Sequence, residues 1–294
     1  MSRLQKKSLD YYIINISVLP AVENTAEYYS NLLSRVNDND MSINVSGDFA
    51  YRISEWTSYK NGEAFYGNLA KSVLLRDVKW VKKGTNEKIA YEVPEDHEAR
   101  KGIYEFLFIP EIHRLILVKS GKIDTTLEDK RSGSVKNVIE FFRIALNEVL
   151  SDEGKTVEIN VVQKEEIFDR IYQSVVKKLD IKVSYSNPGL DGDRDPSIDE
   201  MLRDAHAGST RLQVESDNTG EIDTSSKIIR GFLDLAQTDG SVVANIINED
   251  GKKEKIVTSL HPKIDGTVIS INKNESSLPK FIAAILSKFR DSKK

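Results

Sequence analysis

The chain has 294 residues and no cysteine; hydrophobic residues make up 39% of it and charged residues 30%. Disulfides, thiolate metal sites and cysteine nucleophiles are therefore excluded, no apolar run reaches the ~18 residues of a membrane-spanning helix, and the apolar fraction suffices for a folded core. A formal charge of −4 rules out a uniformly basic nucleic-acid coat but leaves room for a local positive face.

In chain order, Asp10 to Leu19 (DYYIINISVL) is rich in β-branched and aromatic residues and ends at Pro20, which predicts a strand. The basic opening before it lacks a continuous apolar stretch and a small-residue cleavage site, so no signal peptide and a cytoplasmic protein are expected. Tyr28, Tyr29, Leu32, Leu33 and Val36 then repeat at helical spacing. From Ser42 to Val118 the pattern is of short strands broken at Asn61-Gly62, Lys83-Gly84 and Lys101-Gly102. The strongest pair is Ile103 to Ile109 with Ile112 to Val118, turned at Pro110-Glu111.

Val135, Val138, Ile139, Phe142, Ala145, Leu146 and Val149 mark the clearest helix, with Ser132 or Ser134 as its cap. A strand follows over Thr156 to Val162, a second amphipathic helix over Glu165 to Leu179, and a strand over Ile181 to Tyr185. Asn187-Pro188-Gly189 ends this block, and a domain boundary is placed there. Beyond it the pattern predicts a short helix near Ile198 to Ala205, a strand over Arg211 to Glu215 and a helix over Ser226 to Ala236. Three strands ending near Ile271 and a last helix after Ser276-Ser277 complete it. The expected architecture is α+β: an N-terminal domain over 1–188 with a mostly antiparallel sheet and packed helices, and a second α+β domain over 189–294.

Few chemical motifs are present. His97, His113, His206 and His261 show no metal-ligand spacing. Asp191, Asp193 and Asp195 resemble half an EF-hand loop, but Pro196 stands where glycine is needed and Leu202 where a bidentate glutamate is needed. Walker, Rossmann and nucleophile-elbow signatures are absent. Asp180-Ile181-Lys182, with Asp169 upstream, fits a nuclease half-motif or an ordinary strand edge. No cofactor is implied.

Charge is more informative. Six bases stand against two acids between Lys71 and Lys88, and the segment around the central hairpin adds more. Lys79, Trp80, Lys82 and Lys83 form one candidate nucleic-acid surface, in which lysines meet phosphates while the indole stacks, and Arg114, Lys119, Lys122, Lys130 and Arg131 form a second. Lysines protecting an edge strand, with Trp80 turned to the core, are the structural alternative.

The order of these features is more specific than any one of them. An FLF-type strand (Phe106-Leu107-Phe108-Ile109), a returning strand, the Val135 to Val149 helix, the Val157 to Val162 strand, a second helix and a strand closing at Asn187-Pro188, opened by Ile14-Asn15-Ile16-Ser17-Val18, resemble the RexA-like phage-exclusion proteins. The resemblance implies a dimeric, non-enzymatic DNA-binding protein of anti-phage defence, acting with a separate effector protein. It carries no site residue across, because the matching positions are core positions. The expected function is thus phosphate-backbone binding by a homodimer with no membrane insertion. The alternatives are a metal-dependent nuclease or toxin, and a protein-interaction module using the acidic Ser186 to Asp223 segment or the last helix (Phe281, Ile282, Ile285, Leu286, Phe289).

Overall fold

The computed structural model describes residues 5–20, 22, 25–73, 80–89, 99–123, 134–184, 197–205, 207–217, 220–272 and 275–291. The fold is α+β, with two main antiparallel sheets. Strand β1 (Gln5–Leu19) is followed by helix α1 (Thr25–Asp38), then β2 (Ile43–Ser46), β3 (Phe49–Tyr59), β4 (Ala64–Val73), the short hairpin β5 (Trp80–Val81) and β6 (Lys88–Ile89), β7 (Ala99–Ile109) and β8 (Arg114–Ser120). Helix α2 (Val135–Val149), β9 (Thr156–Val161), α3 (Glu165–Gln173), β10 (Val175–Ser184), α4 (Ser197–Asp204), β11 (Ser209–Glu215), α5 (Lys227–Asp239), β12 (Gly240–Ile247), β13 (Lys253–Val257), β14 (Ile264–Ile271) and α6 (Leu278–Asp291) complete the chain.

The larger sheet runs β14-β1-β8-β7-β4-β3-β2. One edge of β1 is shared: Gln5 to Tyr12 pair with β14 and Ile14 to Leu19 with β9, while Asp10 to Asn15 pair with β8 on the other edge. Both faces are covered, which explains why the central strands β7 and β8 are near-continuous apolar runs. On one face α1 and α2 bury Tyr29, Leu33, Phe141, Phe142 and Leu146 against Ile14, Ile16, Leu69, Phe106 and Leu117. On the other, α6 lays Phe281, Ile282, Ile285 and Leu286 on Leu9, Tyr11, Ile116 and Ile269. Each such large side chain contributes roughly 1.5–3 kcal/mol by leaving water.

The hairpin turn behaves as its proline predicts: Pro110 to Ile112 form a 3-10 turn, and His113 follows in the left-handed region at φ 53°. The imidazole is fully enclosed and stacks on Tyr29 with ring centres 4.2 Å apart. Burial, and then the adjacent Arg114 charge, lowers its pKa to about 3.

The smaller sheet runs β11-β10-β12-β13 and shares a core with α3, α4 and α5. Here the structure departs from the sequence reading. The helix expected over Glu165 to Leu179 stops at Gln173, and Val175 opens a ten-residue strand paired to β11 and β12. Ile167, Ile171, Val175 and Leu179 fit a helical period, but Val176, Leu179, Ile181 and Val183 also form the buried side of a strand once a bulge after Val176 is allowed. Pairing on both edges decided the outcome. The sheets also do not divide at residue 188. β10 belongs to the smaller sheet, whereas β14 and α6, far beyond 188, return to the larger one.

A buried polar seam joins the two sheets. The Asn15 amide donates to Asp239 at the end of α5, Gln163 donates to the Gly240 carbonyl, Asn160 donates to Ser184 Oγ at 2.8 Å, and Ser184 Oγ donates to the Asp239 carbonyl at 2.9 Å. Directional bonds of this kind fix one orientation of the two layers, which apolar contact alone would leave free to slide. No helix among the described residues is long and apolar enough to cross a membrane.

Candidate nucleic-acid interface

Strand register decides which charges meet. Asp10 pairs with Ser120, Ser72 with Arg100, and Lys71 with Gly102, so the start of β1, the end of β8, the start of β7 and the end of β4 lie at one end of the large sheet. That end holds Lys6 and Lys7, Lys119, Arg100 and Lys101, and Lys71, with Lys122 just past β8. Among the described residues of these four strand ends, Asp10 is the one carboxylate, and it accepts the Ser120 hydroxyl at 2.6 Å.

Exposure sorts these cations by role. Lys6, Arg100, Lys101 and Lys119 are exposed. Lys7 is half-buried and donates to the Ile123 carbonyl at 3.3 Å and to Ser277 Oγ at 3.0 Å, tying β1 to the turn after β8 and to the start of α6. Lys71 is buried. The two basic segments singled out in the sequence leave from this same end: residues 74–98 connect β4 to β7, and residues 121–134 connect β8 to α2. Helix α2 also begins here, since Asn137 in its first turn donates to the Tyr51 hydroxyl at 3.2 Å, so the positive end of its dipole adds to the field.

Of the nine residues predicted as contacts, Lys119 is exposed and Lys122 half-buried at this end. Lys82 and Lys83 are exposed in the turn of the β5–β6 hairpin, and Trp80 forms the start of its first strand, paired with Ile89. Lys79, Lys130 and Arg131 lie outside the described residues. Arg114 is corrected: it is 5% exposed, opposite Asn15 in the register of β8 with β1, because both faces of β8 are covered and neither side of its alternation reaches water. Sequence reasoning missed Lys6, Arg100 and Lys101. Their signal was two basic dipeptides, Lys6-Lys7 and Arg100-Lys101, each leading into an apolar strand, but only pairing brings them together.

Other candidate chemistry is accounted for locally. Asp180 accepts from Arg211 Nε at 2.6 Å and from Gln213 at 3.3 Å, and Lys182 pairs with Glu158 at 3.1 Å, so the supposed nuclease half-motif forms ion pairs at the sheet surface. Arg211 holds the Asp180 carboxyl below its usual range. No group of three or more His, Asp or Glu able to hold a metal exists among the described residues. The Asp191 to Asp195 cluster, His97 and His206 lie outside the described residues. The last helix does not offer its apolar face to a partner: Phe281, Ile282 and Ile285 are fully buried against the large sheet. What the cationic end can do chemically is attract and hold anions.

Among protein families, the model of a domain of unknown function, DUF4747, matches residues 7–287. No curated protein matches the chain.

Proposed function

The chain belongs to the DUF4747 family, a domain of unknown function, and we propose that it is a cytoplasmic, non-enzymatic DNA-binding protein that engages the phosphate backbone through the cationic end of its large sheet. The observation that carries the reading is the convergence of Lys6, Lys101 and Lys119 on three neighbouring strand ends whose described residues include one carboxylate. Exposed amines of this kind contact phosphates without reading bases, so binding is salt-sensitive and weakly selective for sequence. The resemblance in strand and helix order to phage-exclusion proteins supports a place in anti-phage defence, with a separate effector protein providing the response. A homodimer is part of the same reading: β14 ends the large sheet, and Ile264 and Val268 on it are exposed, which suits pairing with a second copy.

The test is a duplex mobility-shift titration in stepped salt, comparing the native chain with a Lys6→Glu, Lys101→Glu, Lys119→Glu variant. The slope of log K against log salt changes by roughly 0.9 for each phosphate contact, so losing three contacts flattens it by about 3. A variant that keeps both the native affinity and the native slope removes this surface from the function.

A further inference from the structure

The same end of the sheet also holds buried polar groups, one of them an ammonium without an anionic partner. Lys71 is 7% exposed, and its ammonium lies 3.9 Å from the centre of the Phe49 ring. Among the described residues it makes no hydrogen bond or ion pair. Burying an ammonium without a carboxylate is costly, and a ring face recovers only part of that cost. Tyr104 is 5% exposed, and its buried hydroxyl faces that of Tyr51. Burial, then the neighbouring Tyr51, raises its pKa well above the ordinary phenol value, so it remains a donor.

These groups share one face. Leu69, two residues before Lys71, pairs with Tyr104 across β4 and β7, and Lys71 itself pairs with Tyr51 across β4 and β3. The Tyr51 hydroxyl accepts the Asn137 amide at 3.2 Å and neighbours the Tyr104 hydroxyl, so the two phenols and the first turn of α2 are linked. Asn137 sits in the first turn of α2, a fifteen-residue helix; its own backbone amide donates to the Ser134 carbonyl at 3.0 Å, while Ser134 is extended and its hydroxyl makes no cap for the turn. A buried ammonium, two phenol hydroxyls and a helix N-terminus thus lie on one face at one end of the sheet, with no carboxylate paired to the ammonium. That set complements a tetrahedral oxyanion.

We propose that Lys71, Tyr51, Tyr104 and the N-terminus of α2 form a binding site for a phosphate group, Lys71 supplying the charge and the phenols and helix amides the directional bonds. The site goes beyond the exposed binding surface and holds phosphate whether or not the outer lysines carry a duplex. The group could belong to the end of a nucleic-acid strand, to a free nucleotide or to inorganic phosphate.

The experiment titrates the full chain with inorganic phosphate at constant ionic strength, read by thermal unfolding and by phosphorus NMR line broadening. The native chain is expected to show saturable stabilisation; Lys71→Met, which keeps the apolar stem, weakens binding at least about tenfold, and Tyr104→Phe at least about threefold. The triple variant at Lys6, Lys101 and Lys119 retains phosphate binding, which separates this site from the outer surface. No saturable response in the native chain, or native affinity in a folded Lys71→Met, overturns the proposal. If Lys71→Met does not fold, Tyr104→Phe decides, and native phosphate affinity in that variant overturns it. Competition with 5′-phosphorylated and 5′-hydroxyl oligonucleotides and with AMP identifies the source. A 5′-phosphate preference abolished by Lys71→Met assigns a strand end, displacement by AMP assigns a nucleotide, and displacement by neither assigns free phosphate.

Discussion

Gly240 opens β12 opposite Val183, where the seam between the two sheets is tied. Its backbone is extended at φ −172°, a conformation open to any residue, so the demand for glycine comes from space alone. A Cβ at this position would lie 2.0 Å from the Lys182 carbonyl oxygen and 3.0 Å from the Val183 Cα. Both obstacles are main chain and cannot rotate aside, so Gly240→Ala must part β12 from β10 at their first pair. Overpacking of this kind costs about 1–3 kcal/mol, and loosening the Gln163 bond to the Gly240 carbonyl adds about 1 kcal/mol, for a loss of about 2–4 kcal/mol. Gly266 in β14 is the control: there the nearest atom to a new Cβ is Asp10 Oδ1 at 3.4 Å, an ordinary contact, and Gly266→Ala should stay within about 0.5 kcal/mol of the native chain. Urea denaturation followed by circular dichroism gives the two differences, and amide exchange of the β10 and β12 peptides locates the first. If Gly240→Ala unfolds within about 0.5 kcal/mol of native and keeps its β12 protection, the steric argument is refuted.

The remaining predictions concern acid and the sheet surface. His113 has its folded pKa lowered from 6.5 to about 3, so the stability it confers as a neutral group is complete above pH 6.5 and is lost as pH falls from there toward 3. By pH 4 that loss is about 3 kcal/mol, and His113→Phe, which keeps the stack on Tyr29, should flatten the stability profile between pH 6.5 and 4 in urea melts; an unchanged profile would exonerate the imidazole. Asp180→Ala breaks an exposed pair with Arg211 and should cost less than about 1 kcal/mol, leaving duplex binding at its native level. Magnesium-dependent breakdown of DNA that vanishes in that variant would instead restore the nuclease reading.

Features set by local pattern were legible in the sequence. The hairpin turned at Pro110 and the α2 helix stand where the apolar spacing and the turn chemistry put them, because each is stabilised by residues near in the chain. Features set by distant pairing were not. Val175 to Leu179 satisfies a helical and an extended pattern equally, and only strands β11 and β12, more than thirty residues away, choose between them. Arg114 reads as the outward side of an alternating strand until both covering layers are known. In the same way Lys119 could be picked out as a basic residue beside a strand, whereas Lys6 and Lys101 look like isolated flanking charges until register gathers them. Lys71, which no periodicity marks, acquires meaning only from what surrounds it.

The pairing of Gln5 to Tyr12 with Ile264 to Ile271 has a bearing on biosynthesis. As the polypeptide emerges from the ribosome, the leading half of β1 keeps one row of amides and carbonyls unmatched until Ile264 to Ile271, about 250 residues further on, have been translated. Such a delayed closure makes the nascent protein dependent on that distant segment for protection against association with its neighbours, so a chain cut before Ile264 would be left with a sticky margin rather than a smaller stable fold.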